Sequence, residues 1–149
     1  MTLLVSSPVA GTVVEVGEVP DPVFSAGLVG PGTAVEPAGS QVLAPVDGRV
    51  VKLHPHAFVV QPPSGPAVLV HLGIDTVQLG GAGFTVHVAE GDAVVTGQLL
   101  VEWDPAEVRA GGRSAVCPVV LLEASPEQVE LRAAPGAAVE PGDPLLAVP

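Results

Sequence analysis

Ser7-Pro8-Val9-Ala10-Gly11-Thr12-Val13-Val14-Glu15-Val16 and Ala44-Pro45-Val46-Asp47-Gly48-Arg49-Val50-Val51-Lys52-Leu53 agree at five of ten positions. Each copy sets a proline and a glycine ahead of a β-branched run, which is the order of a turn feeding a strand. A second echo links Gly91-Asp92-Ala93-Val94-Val95-Thr96-Gly97 to Gly136-Ala137-Ala138-Val139-Glu140-Pro141-Gly142. Each member of that pair runs into an apolar strand, Leu99 to Val101 and Leu145 to Val148. Two copies of each unit point to a closed, pseudo-symmetric sandwich or barrel rather than a solenoid.

The composition agrees with strands. Apolar residues make up 48% of the 149, and few are aromatic: three Phe, one Trp and no Tyr. Eighteen glycines and 17 prolines would fit disorder, but here they alternate with short valine-rich runs. A chain of this length buries roughly two thirds of its unfolded surface. The formal net charge of −11 argues against nucleic acid or an anionic membrane and in favour of a basic protein partner. Cys117 is the sole cysteine, so no intramolecular disulfide forms. The N-terminal residues Met1 to Ser7 carry no basic n-region, and no apolar run approaches the length of a membrane span. The chain therefore reads as cytoplasmic, with no direct membrane insertion.

The expected strands are Gly11–Val16, Ala34–Glu36, Gln41–Ala44, Gly48–Leu53, Ala57–Gln61, Val68–His71, Phe84–Val88, Leu99–Glu102, Val116–Leu122, Val129–Arg132 and Leu145–Val148. One helix is expected. Asp104 caps it, Pro105 takes its first position, Ala106 to Ala110 fill it and Gly111-Gly112 end it. Ser125-Pro126-Glu127-Gln128 reads as a single capped turn. The expected fold is thus all-β, an antiparallel β-sandwich or barrel of duplicated strand motifs with one or two short helical turns. It forms a single domain over residues 1–149.

Chemistry concentrates in His54-Pro55-His56 and in His71-Leu72-Gly73-Ile74-Asp75. The second motif closes the apolar run Ala67-Val68-Leu69-Val70 and opens onto a glycine, so a strand delivers its imidazole to a turn. Imidazole keeps a free nitrogen lone pair near neutral pH. His54 and His56 share one face if the strand continues through Pro55. The connector Pro62-Pro63-Ser64-Gly65-Pro66 permits antiparallel pairing that sets His56 and His71 near the same end. His87, in Thr85-Val86-His87-Val88, has no polar company and reads as a plain surface or half-buried residue. Two readings of the other three remain. H-x-H with H-x-x-x-D supplies zinc ligands, as in zinc peptidases of the lysostaphin type, although those place H-x-x-x-D first. Alternatively, one imidazole carries a phosphoryl group while a second hydrogen-bonds its oxygens.

Several blocks in order, Ser7-Pro8 with Gly11, Val19-Pro20-Asp21-Pro22-Val23-Phe24, Gly30 with Gly32, Ala44-Pro45-Val46-Asp47-Gly48, His56-Ala57-Phe58, Val70-His71-Leu72-Gly73-Ile74-Asp75-Thr76-Val77, Gly83-Phe84 and Cys117-Pro118-Val119-Val120, resemble the glucose-family IIA component of the bacterial sugar phosphotransferase system. The resemblance covers nearly the whole chain, and V-H-x-G-I-D-T-V is distinctive alone. It implies a compact β-sandwich with pseudo-symmetric halves. It implies that His71 accepts phosphate through Nε2 from the phosphocarrier HPr and passes it to a cysteine of a glucose-type IIB domain. His56 would support transfer, and the Gly73 carbonyl would hold Nδ1–H of His71. Asp21 and Asp75 would pair with arginines of HPr. Val23, Phe24, Val29, Phe58, Leu69 and Val77 would form an apolar rim. In the unphosphorylated state that rim would dock regulated permeases or kinases.

Under the same resemblance, His54 stands where enteric members place a hydroxyl residue that orients the active histidine, so three histidines share the neighbourhood. Gln78 replaces a common acidic residue, and the long N-terminal tail of enteric members has no counterpart. With no IIB or IIC sequence fused, a free-standing carrier is expected. No cofactor and no intrinsic metal are expected; the one place for zinc is between His56, His71 and a partner's carboxylate. A biotinyl or lipoyl carrier would need a lysine at a hairpin tip, whereas the only lysine, Lys52, falls within an expected strand.

Overall fold

The structure is a computed structural model that describes residues 2–149. Met1, the first residue of the domain as delimited from the sequence, lies outside that range. In chain order the strands are β1 (Leu3–Ser6), β2 (Gly11–Val14), β3 (Gly32–Pro37), β4 (Gln41–Leu43), β5 (Gly48–His54), β6 (Ala57–Gln61) and β7 (Val68–His71). There follow β8 (Thr85–Val86), β9 (Ala93–Val94), β10 (Leu99–Glu102), β11 (Cys117–Leu121), β12 (Glu130–Leu131), β13 (Ala138–Val139) and β14 (Pro144–Val148). The two short helices are α1 (Pro22–Ser25) and α2 (Pro105–Ala110). Every strand pairing is antiparallel. An eight-stranded sheet runs β13-β2-β3-β11-β7-β6-β5-β9, and two three-stranded sheets run β1-β14-β12 and β4-β10-β8.

The echoes in sequence are echoes in hydrogen bonding. The N–H of Ser6 donates to the Pro45 carbonyl (2.9 Å), and the N–H of Leu43, the matching residue, donates to the Pro8 carbonyl (2.8 Å). The two repeats thus bond to each other reciprocally, as a two-fold axis between them requires. The glycine turns obey the same relation: Gly142 donates to Ser7 and Gly97 to Ala44, while Gly136 donates to Val13 and Gly91 to Val50. The repeat glycines are needed for close backbone approach. A β-carbon on Gly11 would lie 2.0 Å from the Glu36 carbonyl oxygen, and one on Gly48 2.3 Å from that of Gln61.

The main core joins Val5, Val13, Val50, Phe58, Val60, Val70, Leu100, Cys117, Leu145 and Leu146 across these sheets. A smaller cluster of Val19, Phe24, Ala34, Ile74, Val116 and Val120 lies beneath α1 and the loop after β7. Burial is the largest favourable contribution to such a fold, at roughly 25 cal/mol per Å² of apolar surface removed from water.

Three expected strands and the one expected full helix agree to the residue: β6, β7, β10 and α2. Other bounds moved. The strand expected over Gly11–Val16 stops at Val14, and Val16–Glu18 turns as a 3₁₀ segment. Phe84–Val88 shrinks to Thr85–Val86 and Val129–Arg132 to Glu130–Leu131. Ser125 to Gln128 is the capped turn expected, with the Ser125 N–H donating to Gln128 Oε1 (2.7 Å). The sequence reading missed β1, the two-residue strands β9 and β13, and α1. Asp21 caps α1 by accepting from the Val23 N–H (2.9 Å), with Pro22 at the first helical position.

Candidate functional site

The site lies where the β5–β6 hairpin turn meets the loop after β7. His54 pairs with Ala57, so Pro55 and His56 are the turn itself. The condition for His54 and His56 to share a strand face, continuation through Pro55, is therefore not met: proline removes a ladder donor and the strand ends at His54. Ala57 pairs with His71, which sets His56 and His71 at the same end of the β6–β7 pair. The Leu72 N–H then donates to the His56 carbonyl (2.7 Å) and ties the turn to the loop.

That loop is tightly specified. Gly73 adopts φ 77°, and a β-carbon there would lie 2.8 Å from Thr76 Cγ2 and 3.0 Å from the Ser114 carbonyl oxygen. Only glycine meets both the dihedral and the space. The buried Thr76 hydroxyl donates to the Leu72 carbonyl (2.7 Å), and the Ile74 N–H donates to the Ser114 carbonyl (2.9 Å). Asp75 takes a left-handed φ of 60° and opens the 3₁₀ turn Thr76–Leu79.

Nδ1 of His71 lies 2.5 Å from the Gly73 carbonyl oxygen. A carbonyl only accepts, so Nδ1 carries the proton and Nε2 keeps the lone pair. The His56 and His71 ring centroids are 5.2 Å apart, nearly edge to face. Phe24 sets its ring against the other side of His71 at 5.4 Å. His54 stacks on His56 at 5.6 Å, so its ring neighbour is His56 rather than His71. Burial pushes the basicity of His71 below the ordinary histidine value, outweighing the Gly73 carbonyl and the Asp21 and Asp75 carboxylates, which pull it upward. His56 is lowered as well, first by burial and then by the charges of His71 and His54. Both rings are neutral near pH 7.

The apolar surroundings divide into rim and floor. Val77 is 62% exposed and Val23 45%. Val29 and Leu69 are half-buried against the smaller cluster. Two expected rim residues belong elsewhere. Phe58 is 1% exposed and sits in the main core; its backbone is β6, whose inward face it occupies. Phe24 is buried and serves as a wall for His71 rather than as an exposed contact. The sequence reading missed Leu28, which is 75% exposed and whose N–H donates to the Val23 carbonyl. It also missed Arg113, whose Nη2 donates to Gln78 Oε1 (3.1 Å) beside the loop. Neither belongs to a periodic pattern, so neither carried a signal. His87 is a surface residue, as expected, but it has polar company: its Nε2 lies 2.8 Å from Glu102 Oε1 across β8 and β10.

Among the described residues no group of three or more His, Cys, Asp or Glu side chains is arranged as a metal site. His71, Asp75 and the His54/His56 pair do not converge into the ligand set that a zinc peptidase needs. Cys117 is buried, and that burial raises its thiol to about 12, out of reach of nucleophilic use. No helix among the described residues is long and apolar enough to cross a membrane.

Comparison with known proteins adds a family. Residues 3–127 match the family model described as phosphoenolpyruvate-dependent sugar phosphotransferase system, EIIA 1. The chain is 42% identical over 120 residues to a glucose-specific EIIA component of Halalkalibacterium halodurans, covering 79% of this chain and 69% of that one. It is 43% identical over 123 residues to a glucose-specific EIIBCA component of Corynebacterium glutamicum, covering 81% of this chain. The chain spans 18% of the length of that fused relative. Among solved structures, the glucose permease IIA from Mycoplasma capricolum superposes with a TM-score of 0.91 at 34% identity, over 99% of this chain and 96% of that one. That neighbour includes the strands after residue 127, which complete the two-fold relation described above.

Proposed function

Because this chain belongs to the EIIA 1 family of the phosphoenolpyruvate-dependent sugar phosphotransferase system, we propose that Nε2 of His71 accepts a phosphoryl group from histidine-phosphorylated HPr and hands it to the cysteine of a glucose-type IIB domain. Components of this family are phosphotransferases that work through a phosphohistidine intermediate, and the chain takes part in phosphoryl transfer for sugar uptake. The observation that supports the residue assignment is the Gly73 carbonyl on Nδ1 of His71, which leaves one nitrogen, Nε2, to act. The lone pair of that nitrogen forms the new N–P bond as the donor's N–P bond breaks, and the donor imidazole leaves. Ring charge that develops on His71 is stabilised by the carbonyl already bonded to its other N–H. His56, neutral and 5.2 Å away between ring centroids, has one N–H to offer the phosphoryl oxygens. The onward step forms an S–P bond on the IIB cysteine and returns the lone pair to His71. Positioning and electrostatics are what the protein contributes to such a transfer.

We place this relay in the cytoplasm, where the donor and the IIB domain operate. His56 and His71 also present two imidazoles; a zinc ion there would need further ligands from a partner, and the proposed transfer does not use one. The test combines enzyme I, HPr, labelled phosphoenolpyruvate and a glucose-type IIB. His71→Ala takes up no label. His56→Ala is labelled but donates to IIB at a rate lower by about 10²-fold or more, the scale on which a positioned proton donor acts. Label on His71→Ala, or normal donation by His56→Ala, contradicts the assignment.

A further inference from the structure

Three successive peptide groups lead away from His71, and each is held by a partner outside it. In the first, the Leu72 N–H donates to the His56 carbonyl (2.7 Å). In the second, the Leu72 carbonyl accepts from the Thr76 hydroxyl (2.7 Å). In the third, the Ile74 N–H donates to the Ser114 carbonyl (2.9 Å), while the Gly73 carbonyl of the same group faces Nδ1 of His71. A peptide group is planar and stiff, so a hold on one edge orients the other. The first and third holds run backbone to backbone. The second is made by a side chain, and a substitution can remove it alone.

Thr76 and Leu72 are both 0% exposed. A buried carbonyl needs a donor. In a helix, a threonine hydroxyl that reaches four residues back meets a carbonyl already holding a backbone N–H. Leu72 lies in a loop instead, and no backbone N–H among the described residues bonds to its carbonyl. The Thr76 hydroxyl is therefore the donor that fixes that peptide group. Gly73 joins the second group to the third, and glycine opposes rotation least of all residues. Without the hydroxyl, the Leu72 carbonyl turns toward another donor, and the turn passes through Gly73 to the carbonyl on His71. The Thr76 methyl does something separate: Cγ2 stands 2.8 Å from where a β-carbon on Gly73 would be.

We propose that Thr76 is a positioning residue for phosphoryl transfer: its hydroxyl locks the Leu72–Gly73 peptide, which keeps the Gly73 carbonyl on Nδ1 of His71 and the lone pair on Nε2. The effect on rate rests on the reading of Nε2 as the reacting atom; the effect on the ring does not. Two variants separate hydroxyl from methyl. Thr76→Val keeps the shape and loses the hydroxyl, and Thr76→Ser keeps the hydroxyl and loses the methyl.

Long-range ¹H–¹⁵N spectra of the unphosphorylated chain at pH 7.5 report which ring nitrogen of His71 holds the proton. The natural chain and Thr76→Ser are expected to show it on Nδ1. In Thr76→Val the two ring-nitrogen shifts move toward each other as the tautomers mix. Labelling by HPr and phosphoenolpyruvate falls at least about tenfold in Thr76→Val, within the range that a misplaced reacting group costs, and Thr76→Ser rescues it. Thr76→Ala takes the place of Thr76→Val if the latter does not fold. An unchanged His71 tautomer in the variant without the hydroxyl, or a Thr76→Ser chain as impaired as Thr76→Val, overturns the proposal. Failure of the natural chain to take label counts against the reading of His71, while the spectra still decide what Thr76 holds.

Discussion

Gly73 acts on His71 twice, and both actions come from having no side chain. Its left-handed φ turns its own carbonyl back onto Nδ1, and its bare α-carbon fits between Thr76 and the Ser114 carbonyl. Every other residue would lose the loop or the hydrogen bond. The lowered basicity of His71 and His56 has a consequence for stability. Both rings are held neutral in the folded chain, whereas in the unfolded chain they bind protons once the pH falls below about 6.5. The unfolded state then holds more protons, so the folded state loses relative stability as pH drops through that value, and the loss is complete below the folded-state values. Denaturant unfolding at pH 7.5 and 5.5 is expected to show a larger loss for the natural chain than for His56→Gln/His71→Gln. Equal losses contradict the neutral-ring account.

At the scale of elements, the repeated proline–glycine–valine unit sets the sheet. Gly48 allows β5 to cross within contact of the Gln61 carbonyl, so Gly48→Ala is expected to cost about 3–5 kcal/mol, in the range of forced backbone overlap. Gly97 has φ 90° and open space around it; Gly97→Ala is expected to cost only about 1 kcal/mol, from backbone strain alone. Urea midpoints decide this, and equal small costs contradict the close-approach argument. The strands legible in the sequence were those with a local cause: β6, β7 and β10 are uninterrupted apolar runs, and α2 carries its own cap, proline and closing glycines. What was not legible is set by distant partners. β9 and β13 are two-residue pairings that exist only because β5 and β2 lie beside them. α1 spans four residues and shows in sequence only as a turn between prolines. At the site, the motif carried His56, His71 and Gly73, but the burial of Phe58 and the exposure of Leu28 depend on how α1 and β6 sit in the assembled molecule.

For the molecule as a whole, a net charge of −11 combines with an apolar rim of Val23, Leu28 and Val77 beside Asp21 and Asp75. Carboxylates around an apolar patch steer a basic partner toward it, and salt weakens that steering. The rate of phosphoryl uptake from HPr is expected to fall about tenfold between low and 0.5 M salt. The slope should flatten in Asp21→Asn/Asp75→Asn, since asparagine still caps α1; a salt-independent rate contradicts electrostatic docking. The resting place of the phosphoryl group decides which residue carries the transfer. In the chain energised by enzyme I, HPr and phosphoenolpyruvate, fragment mass spectrometry with ³¹P–¹⁵N NMR is expected to show one phosphoryl group on Nε2 of His71. Phosphate on His56, on Nδ1 of His71, or on no histidine would contradict it.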